Sequence, residues 1–333
     1  MLRSLDARHE RWPLSRPFRI SRGVKTAADV VVVEARAGDH IGMGEAVPYA
    51  RYGESVESVL AQLAEVAPAF AAGMNRDDLQ TALPAGAARN AADCALWDLE
   101  AKAAGRSVAA LIGADEPREL ITAVTVSLDT PERMREAAGV VAEAPLIKVK
   151  VDAGDPLACV AAVRAAAPRA RLIVDPNESW SSALLQGVLP DLARLDVALI
   201  EQPLSSAEDE ALESITASIP ICADESVHVT ADLEQAARRY RAVNIKLDKT
   251  GGLTEALVMR RRAADLGLIV MVGCMISTSL AIAPALHLAQ GAEFVDLDGP
   301  WWLLQDRDSA VRFERGKLTT PPDGWGIPSR RIA

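Results

Sequence analysis

Several features are scarce in this sequence, and each scarcity narrows its class. Four cysteines, Cys94, Cys159, Cys222 and Cys274, are scattered through 333 residues. No C-x-x-C occurs and no spacing makes a zinc site, so they read as small core residues in a reducing, cytoplasmic compartment. No uncharged apolar run reaches the roughly 18 residues that a membrane-spanning helix needs. The opening MLRSLDARHERWPLSRPF carries charge throughout and does not read as a secretory leader. There is no basic stripe with interleaved aromatics, and the formal net charge is −10, which argues against nucleic acid or an anionic membrane as the main partner. A small anionic substrate stays compatible, because a local pocket can be basic on an acidic protein. No G-x-G-x-x-G follows an early strand, which disfavours a doubly wound, dinucleotide-binding sheet.

What is present is an ordinary globular composition, 50% hydrophobic and 25% charged, long enough for a sizeable core. The first third is α+β. ADVVVVEARA reads as a strand and DHIG as a turn. SVESVLAQLAEVAPAFAAG and AARNAADCALWDLEAKAAG read as helices closed by glycine, their alanines reflecting helix propensity. From about residue 120, β-branched runs alternate with helical stretches: ITAVTVSL, LIKVKVD, ARLIVD, VALIEQP, IPICADES, AVNIKLD, LIVMVG and FVDLD. Intervals of roughly 25 residues suit one strand and one crossover helix, and continuous apolar strands between helices indicate a covered parallel sheet. Eight such units are what a closed barrel needs. After residue 300 the rhythm stops, and WWLLQDRDSAVRFERGKLTTPPDGWGIP reads as short strands and turns packing back on the first domain, anchored by Trp301 and Trp302.

Six strand ends carry charge in or beside an apolar run: Lys148 with Lys150, Asp175, Glu201, Asp224, Lys246, and Asp296 with Asp298. Charged groups are rarely buried without a partner. One such end could be a structural ion pair; six in succession at barrel spacing point to an active site at the C-terminal strand ends. Asp175, Glu201 and Asp224 end three consecutive strands. Together they would repel one another unless a divalent cation intervened, and all-oxygen ligation suits Mg²⁺, or Mn²⁺ in its place. His228 follows Asp224 but has no second histidine beside it and is a weak ligand. Lys148 and Lys150 are two apart and share a strand face. Lysines near a divalent cation in a dry site should have lowered pKa values and can act as bases. On opposite sides of a barrel mouth, two lysines reach opposite faces of one carbon. A cation on a carboxylate stabilises the enediolate formed when the adjacent C–H loses its proton, with Lys148 adding positive charge.

The ordered set IKVKVD, LIVDPNESW, IEQP, CADES and NIKLDKTGG resembles the enolase superfamily, and within it the muconate-lactonising subgroup, over nearly the whole chain. The resemblance implies a modified TIM barrel, (β/α)₇β (residues 116–299), with an α+β capping domain (1–115 with 300–333). It implies Lys150 and Lys246 as the acid/base pair and Asp175, Glu201 and Asp224 as metal ligands. The dipeptide epimerase branch, which interconverts L-Ala-L-Glu and L-Ala-D-Glu, is the nearest likeness. VDLDGPWW supplies Asp296 and Asp298, matching the aspartates that hold the dipeptide's ammonium group. ISRGVKTAAD and GMGEAVPYARYGES resemble its capping loops, where Arg22 matches an arginine for the glutamate side-chain carboxylate. Thr125 would line the pocket. Ser277 stands where much of the subgroup carries glutamate. A homo-oligomer and a place in murein-peptide metabolism are also implied. Alternatives are another dipeptide, or N-acylamino acid racemisation, o-succinylbenzoate synthesis or muconate cycloisomerisation. From a different class comes a non-catalytic barrel that binds a small acid.

Overall fold

The structure is a computed structural model that describes residues 2–320 and 324–328. The chain opens with an antiparallel sheet, β1 (Arg3–Ile20), β2 (Gly23–Ala37) and β3 (His40–Ala46), followed by α1 (Val56–Ala71), α2 (Arg76–Ala82) and α3 (Ala87–Ala104). The four consecutive valines of β2, Val30 to Val33, serve two interfaces. Val31 and Val33 pack towards α1 and α3, while Val30 and Val32 pack with Met275 and Ile276 of the barrel and with Trp302 of the C-terminal segment. A strand covered on both faces has no reason to alternate. The charge-rich β1 was not legible as a strand; it is an edge strand with a largely exposed outer face, and its register shifts between Pro13 and Phe18.

The alanines of α3 do more than favour a helix. A Cβ at Gly42 or Gly44 of β3 would collide with the carbonyl oxygens of Ala95 or Ala91. Glycine on the strand and alanine on the helix therefore let the two backbones approach closely. The polar residues of α3 face the next unit. Arg89 donates to the carbonyls of Thr250 and Gly251, Asn90 to Asp248, and Asp93 accepts from Thr254. This helix braces the loop that follows one of the barrel strands.

A short α4 (Val108–Ile112) and β4 (Leu120–Ile121) lead into the barrel. Its parts are β5 (Val124–Val126), α5 (Pro131–Val140), β6 (Leu146–Lys150), α6 (Pro156–Ala166), β7 (Arg171–Asp175), α7 (Ser182–Arg194), β8 (Val197–Glu201), β9 (Ile221–Ala223), α8 (Leu233–Arg239), β10 (Ala242–Lys246), α9 (Leu247–Thr250), α10 (Leu253–Asp265), β11 (Ile269–Gly273), α11 (Ser279–Ala289) and β12 (Phe294–Asp296). Strands β5 to β12 form one parallel sheet in sequence order. The Ala123 N–H donates to Val295 O at 2.7 Å and joins its first and last strands. All eight expected strands are present. One crossover departs from the expectation: between β8 and β9 the chain makes a 3₁₀ turn, Asp209–Ser214, in place of an α-helix. Tyr240 and Arg239 hold that turn through Asp209.

Inside the barrel, Ala123, Leu146, Ile173, Leu199, Cys222, Ala242, Met271 and Phe294 form a buried apolar floor, one residue per strand. Two residues further along, the same face of each strand presents Thr125, Lys148, Asp175, Glu201, Asp224, Asn244, Gly273 and Asp296. The two-residue period thus puts a polar layer directly above an apolar plug. Finally, β13 (Arg312–Glu314) pairs with β14 (Lys317–Thr319), which pairs with β4, and Trp325 and Gly326 bond to Cys94 and Asp98 of α3. Of the expected tail, 321–323 and 329–333 lie outside the described residues. The four cysteines are free, and among the described residues no helix is long and apolar enough to cross a membrane.

Candidate active site

A cavity of about 660 Å³ opens over the C-terminal ends of the barrel strands, roofed by the β1–β2 hairpin and by residues 47–52. Lys148, Lys150, Asp224, Lys246, Asp296 and Asp298 all line it. Asp175 and Glu201, in the same polar layer, are fully buried behind these side chains.

The lysines and carboxylates interlock. Lys150 Nζ lies 2.5 Å from Asp175 Oδ2 and 3.1 Å from Asn177 Oδ1. Lys246 Nζ lies 2.7 Å from Asp224 Oδ2. Lys148 Nζ sits between three carboxylates, 3.0 Å from Asp175 Oδ2, 2.6 Å from Glu201 Oε2 and 2.8 Å from Asp296 Oδ2. In the sheet order, β6 and β10 are four strands apart among eight. Lys150 and Lys246 therefore stand on opposite walls of the mouth.

Burial raises the carboxylates' pKa values and the ammonium groups lower them, with different outcomes at each position. For Asp224, burial is outweighed by Lys246, Lys249 and Lys148, and its pKa falls well below the usual range. For Glu201, burial and the neighbouring Asp175 charge prevail and push it up to about 7. Burial disfavours the charge on Lys148 and Lys246, but the surrounding carboxylates outweigh it and hold both well above the ordinary lysine value. This is the reverse of the depressed lysines expected from the sequence. The protein's own groups alone supply excess negative charge, whereas that expectation rested on a neighbouring cation.

Among the described residues, no three Asp, Glu, His or Cys side chains stand together as a ready-made metal cage, because lysine ammoniums lie between Asp175, Glu201 and Asp224. The donor set nevertheless fits a hard divalent cation. It is all carboxylate oxygen on three adjacent strand ends, and Glu201 Oε2 is buried with only the Lys148 ammonium opposite it and no well-aligned hydrogen bond. His228 stays apart, its backbone N–H bonded to Asp232 and its ring edge-on to Tyr52.

The expected substrate-side residues are also brought here. Asp298 Oδ2 accepts from the Thr125 N–H at 2.7 Å. Asp296 Oδ1 is buried without a partner, while its other oxygen takes the Lys148 ammonium. Burial and the charge on Asp296 push Asp298 up to about 6. Arg22 lines the cavity too, but its guanidinium donates to Glu225 at 2.7 Å, Glu178 at 3.2 Å and Tyr49 at 3.2 Å. It bridges the capping hairpin to the barrel. Ser277 is buried and its hydroxyl has no partner.

Sequence reasoning missed Asn177, Gln202, Asn244 and Lys249. Gln202 accepts from the Asp224 and Ser226 N–H groups and fixes the start of that loop. Asn177, Glu178 and Gln202 all have positive φ, a backbone that non-glycine residues adopt only where neighbours hold them. Asn244 was within reach, since it lies two residues before Lys246 and so on the same strand face.

A barrel with paired lysines opposed across a carboxylate triad, roofed by an α+β cap, defines a class of proton-transfer enzyme folds. Residues 3–113 match the mandelate racemase / muconate lactonizing enzyme N-terminal domain and residues 132–331 the enolase C-terminal domain-like family. The chain belongs to this family of enolase-like proteins. It is 48% identical to the L-Ala-D/L-Glu epimerase of Escherichia coli over 95% of this chain and 99% of that protein. It is 44% identical to an N-acetyl-D-glutamate racemase of Pseudoalteromonas over 87% and 92%. Among solved structures, an enolase family member from Agrobacterium tumefaciens with homology to dipeptide epimerases, with bound sodium and L-Ala-L-Glu, superposes with a TM-score of 0.94 at 48% identity, covering 96% of this chain and 98% of that one.

Proposed function

We propose that this protein is a Mg²⁺-dependent dipeptide epimerase that interconverts L-Ala-L-Glu and L-Ala-D-Glu by 1,1-proton transfer. The observation that carries the reading is the placement of Lys150 and Lys246 on opposite walls of one mouth, with the carboxylate triad between them. Asp175, Glu201 and Asp224 would hold the metal, which supplies positive charge where the substrate carboxylate gains electron density. Lys148 presents a further ammonium to the same region. Asp296 and Asp298 hold the dipeptide's N-terminal ammonium; this reading is supported by the unpartnered Asp296 Oδ1 and by the Lys148 ammonium on its other oxygen.

One lysine, as the free amine, takes the α-proton of the second residue from one face. The other, as the ammonium, returns a proton from the opposite face, and the two exchange roles for the reverse reaction. Residues 1–115 with 300–333 serve as the cap that excludes water, and Arg22 turns from its protein carboxylates to that of the glutamate side chain. Unbridged cysteines suit a reducing cytoplasm, and turnover of murein peptides is the setting that the resemblance implies.

The likeness to an N-acetyl-D-glutamate racemase favours a second reading, racemisation of an N-acylated glutamate, which has no free ammonium. Proton NMR in D₂O with Mg²⁺ separates the two. Loss of the glutamate α-proton of L-Ala-L-Glu, with signals of the D-epimer appearing, is the expected result. Asp296→Asn and Asp298→Asn should each lower kcat/KM on the dipeptide by about tenfold or more, the scale of a charge-assisted hydrogen bond. Faster exchange in N-acetylglutamate, unaffected by both substitutions, would discard the dipeptide reading.

A further inference from the structure

Each carboxylate of the triad has one oxygen taken by a protein donor and one left facing the lysines. Asp175 Oδ1 accepts the Asn177 N–H at 2.9 Å, Glu201 Oε1 accepts Asn244 Nδ2 at 2.9 Å, and Asp224 Oδ1 accepts Lys249 Nζ at 2.7 Å. The other oxygens, Asp175 Oδ2, Glu201 Oε2 and Asp224 Oδ2, face Lys150, Lys148 and Lys246. Three donors from three different segments thus produce the same division of labour.

These donors are built in. Asn244 is fully buried, and its amide fills the place where a Cβ at Gly273 would come within 2.7 Å of Asn244 Oδ1, so glycine is needed on the neighbouring strand. Lys249 is 1% exposed, and its ammonium also donates to the backbone carbonyls of Asp224 and Asn244. Its three donors are spent on the triad's outer side, so it faces away from the mouth and takes no part in proton transfer.

We infer that Asn244 and Lys249 are positioning residues that restrict Glu201 and Asp224 to one ligating oxygen each, and so tune the site to a small divalent cation against a larger one. Mg²⁺ takes few, single-oxygen carboxylate ligands in a compact shell. Ca²⁺ is satisfied by more oxygens, commonly with both oxygens of one carboxylate. A carboxylate whose second oxygen is held by a buried donor cannot turn to offer both. The inference rests on the reading of the triad as a metal site.

The test is calorimetric titration of Mg²⁺ and of Ca²⁺ into the metal-stripped full-length protein, its Asn244→Ala variant and its Lys249→Met variant. Thermal melting establishes that each is folded. Wild type should prefer Mg²⁺, and each substitution should lower the ratio of Ca²⁺ to Mg²⁺ dissociation constants by about tenfold or more, the usual weight of a ligand's supporting hydrogen bond. Because Lys249→Met strips a donor from two buried carbonyls, Asn244→Ala carries the test by itself if the lysine variant does not fold. An unchanged ratio, or equal loss of both metals, overturns the inference and leaves the metal reading standing. A wild type that binds Mg²⁺ without preference overturns it likewise. A wild type that binds neither metal overturns both.

Discussion

Lys150 and Lys246 are chemically alike but face different partners: Lys150 shares Asp175 with Lys148, while Lys246 has Asp224, which Lys249 also holds. Each lysine addresses one face of the substrate carbon, so removing one should not abolish all chemistry. Lys150→Ala and Lys246→Ala should each lower epimerisation by about 10²–10⁴-fold, the usual weight of a positioned acid or base. Each variant should still exchange the α-proton of one epimer with D₂O, and the retained epimer should differ between the two. Following both epimers by NMR checks this; loss of exchange in both epimers for both variants would mean that the lysines do not act on separate faces. Both residues were legible because each interrupts an apolar strand. Arg22 was legible only by likeness, and nothing in its sequence neighbourhood announced the Glu225 and Glu178 carboxylates that hold it.

At the scale of the element, α11 carries a buried histidine outside the active site. His287 is 8% exposed, its Nδ1 has no partner among the described residues, and its ring lies 5.7 Å from that of Trp325. Burial lowers its pKa from 6.5 to about 4. The unfolded chain therefore binds a proton below about pH 6.5 that the folded protein resists down to about pH 4. Stability from this group is complete above about 6.5 and is lost as the pH falls to 4, by roughly 3 kcal/mol at about 1.36 kcal/mol per pH unit. Asp93, raised by burial to about 6, acts in the opposite sense over an overlapping range, since its contribution is lost as the pH rises. Comparison with a variant isolates the histidine: chemical denaturation of His287→Phe between pH 7 and 4.5 should show a smaller fall in stability than wild type. Parallel falls would show that His287 is not buried as a neutral ring. The same helix begins at Thr278, which Glu45 of the capping sheet holds through its backbone N–H at 2.7 Å, with Arg307 on the same carboxylate. One buried acid thus ties the cap, a barrel helix and the C-terminal segment together.

The whole molecule places strongly interacting charges at the top of an otherwise apolar barrel. Asp175, Glu201 and Asp224 are drawn together by the fold, so anything that neutralises them should stabilise it. At about 100 times its dissociation constant, Mg²⁺ should add about 2.7 kcal/mol, seen as a melting temperature several degrees higher than in a chelator. Epimerisation should vanish with the chelator and return with the metal. A melting temperature indifferent to Mg²⁺ would mean that the triad is satisfied by its lysines alone.

The order of the elements and the chemistry of the strand ends are properties of the sequence. An apolar run with a charge at its end specifies both a buried strand and the point where it meets the mouth; six of the eight runs have one, and eight apolar runs alternating with helices specify a barrel. The period of two even fixed which residues share the inner face, from Leu146 through Lys148 to Lys150. Other features came only with tertiary structure, because each depends on what a distant segment places beside it. The charged β1 is a strand because β2 pairs with it. The alanines of α3 matter because glycines of β3 lie beneath them. The lysine pKa values rise because carboxylates from several strands surround them. Which oxygen of each carboxylate faces the lysines is decided by Asn177, Asn244 and Lys249, donors whose reach no local pattern reveals.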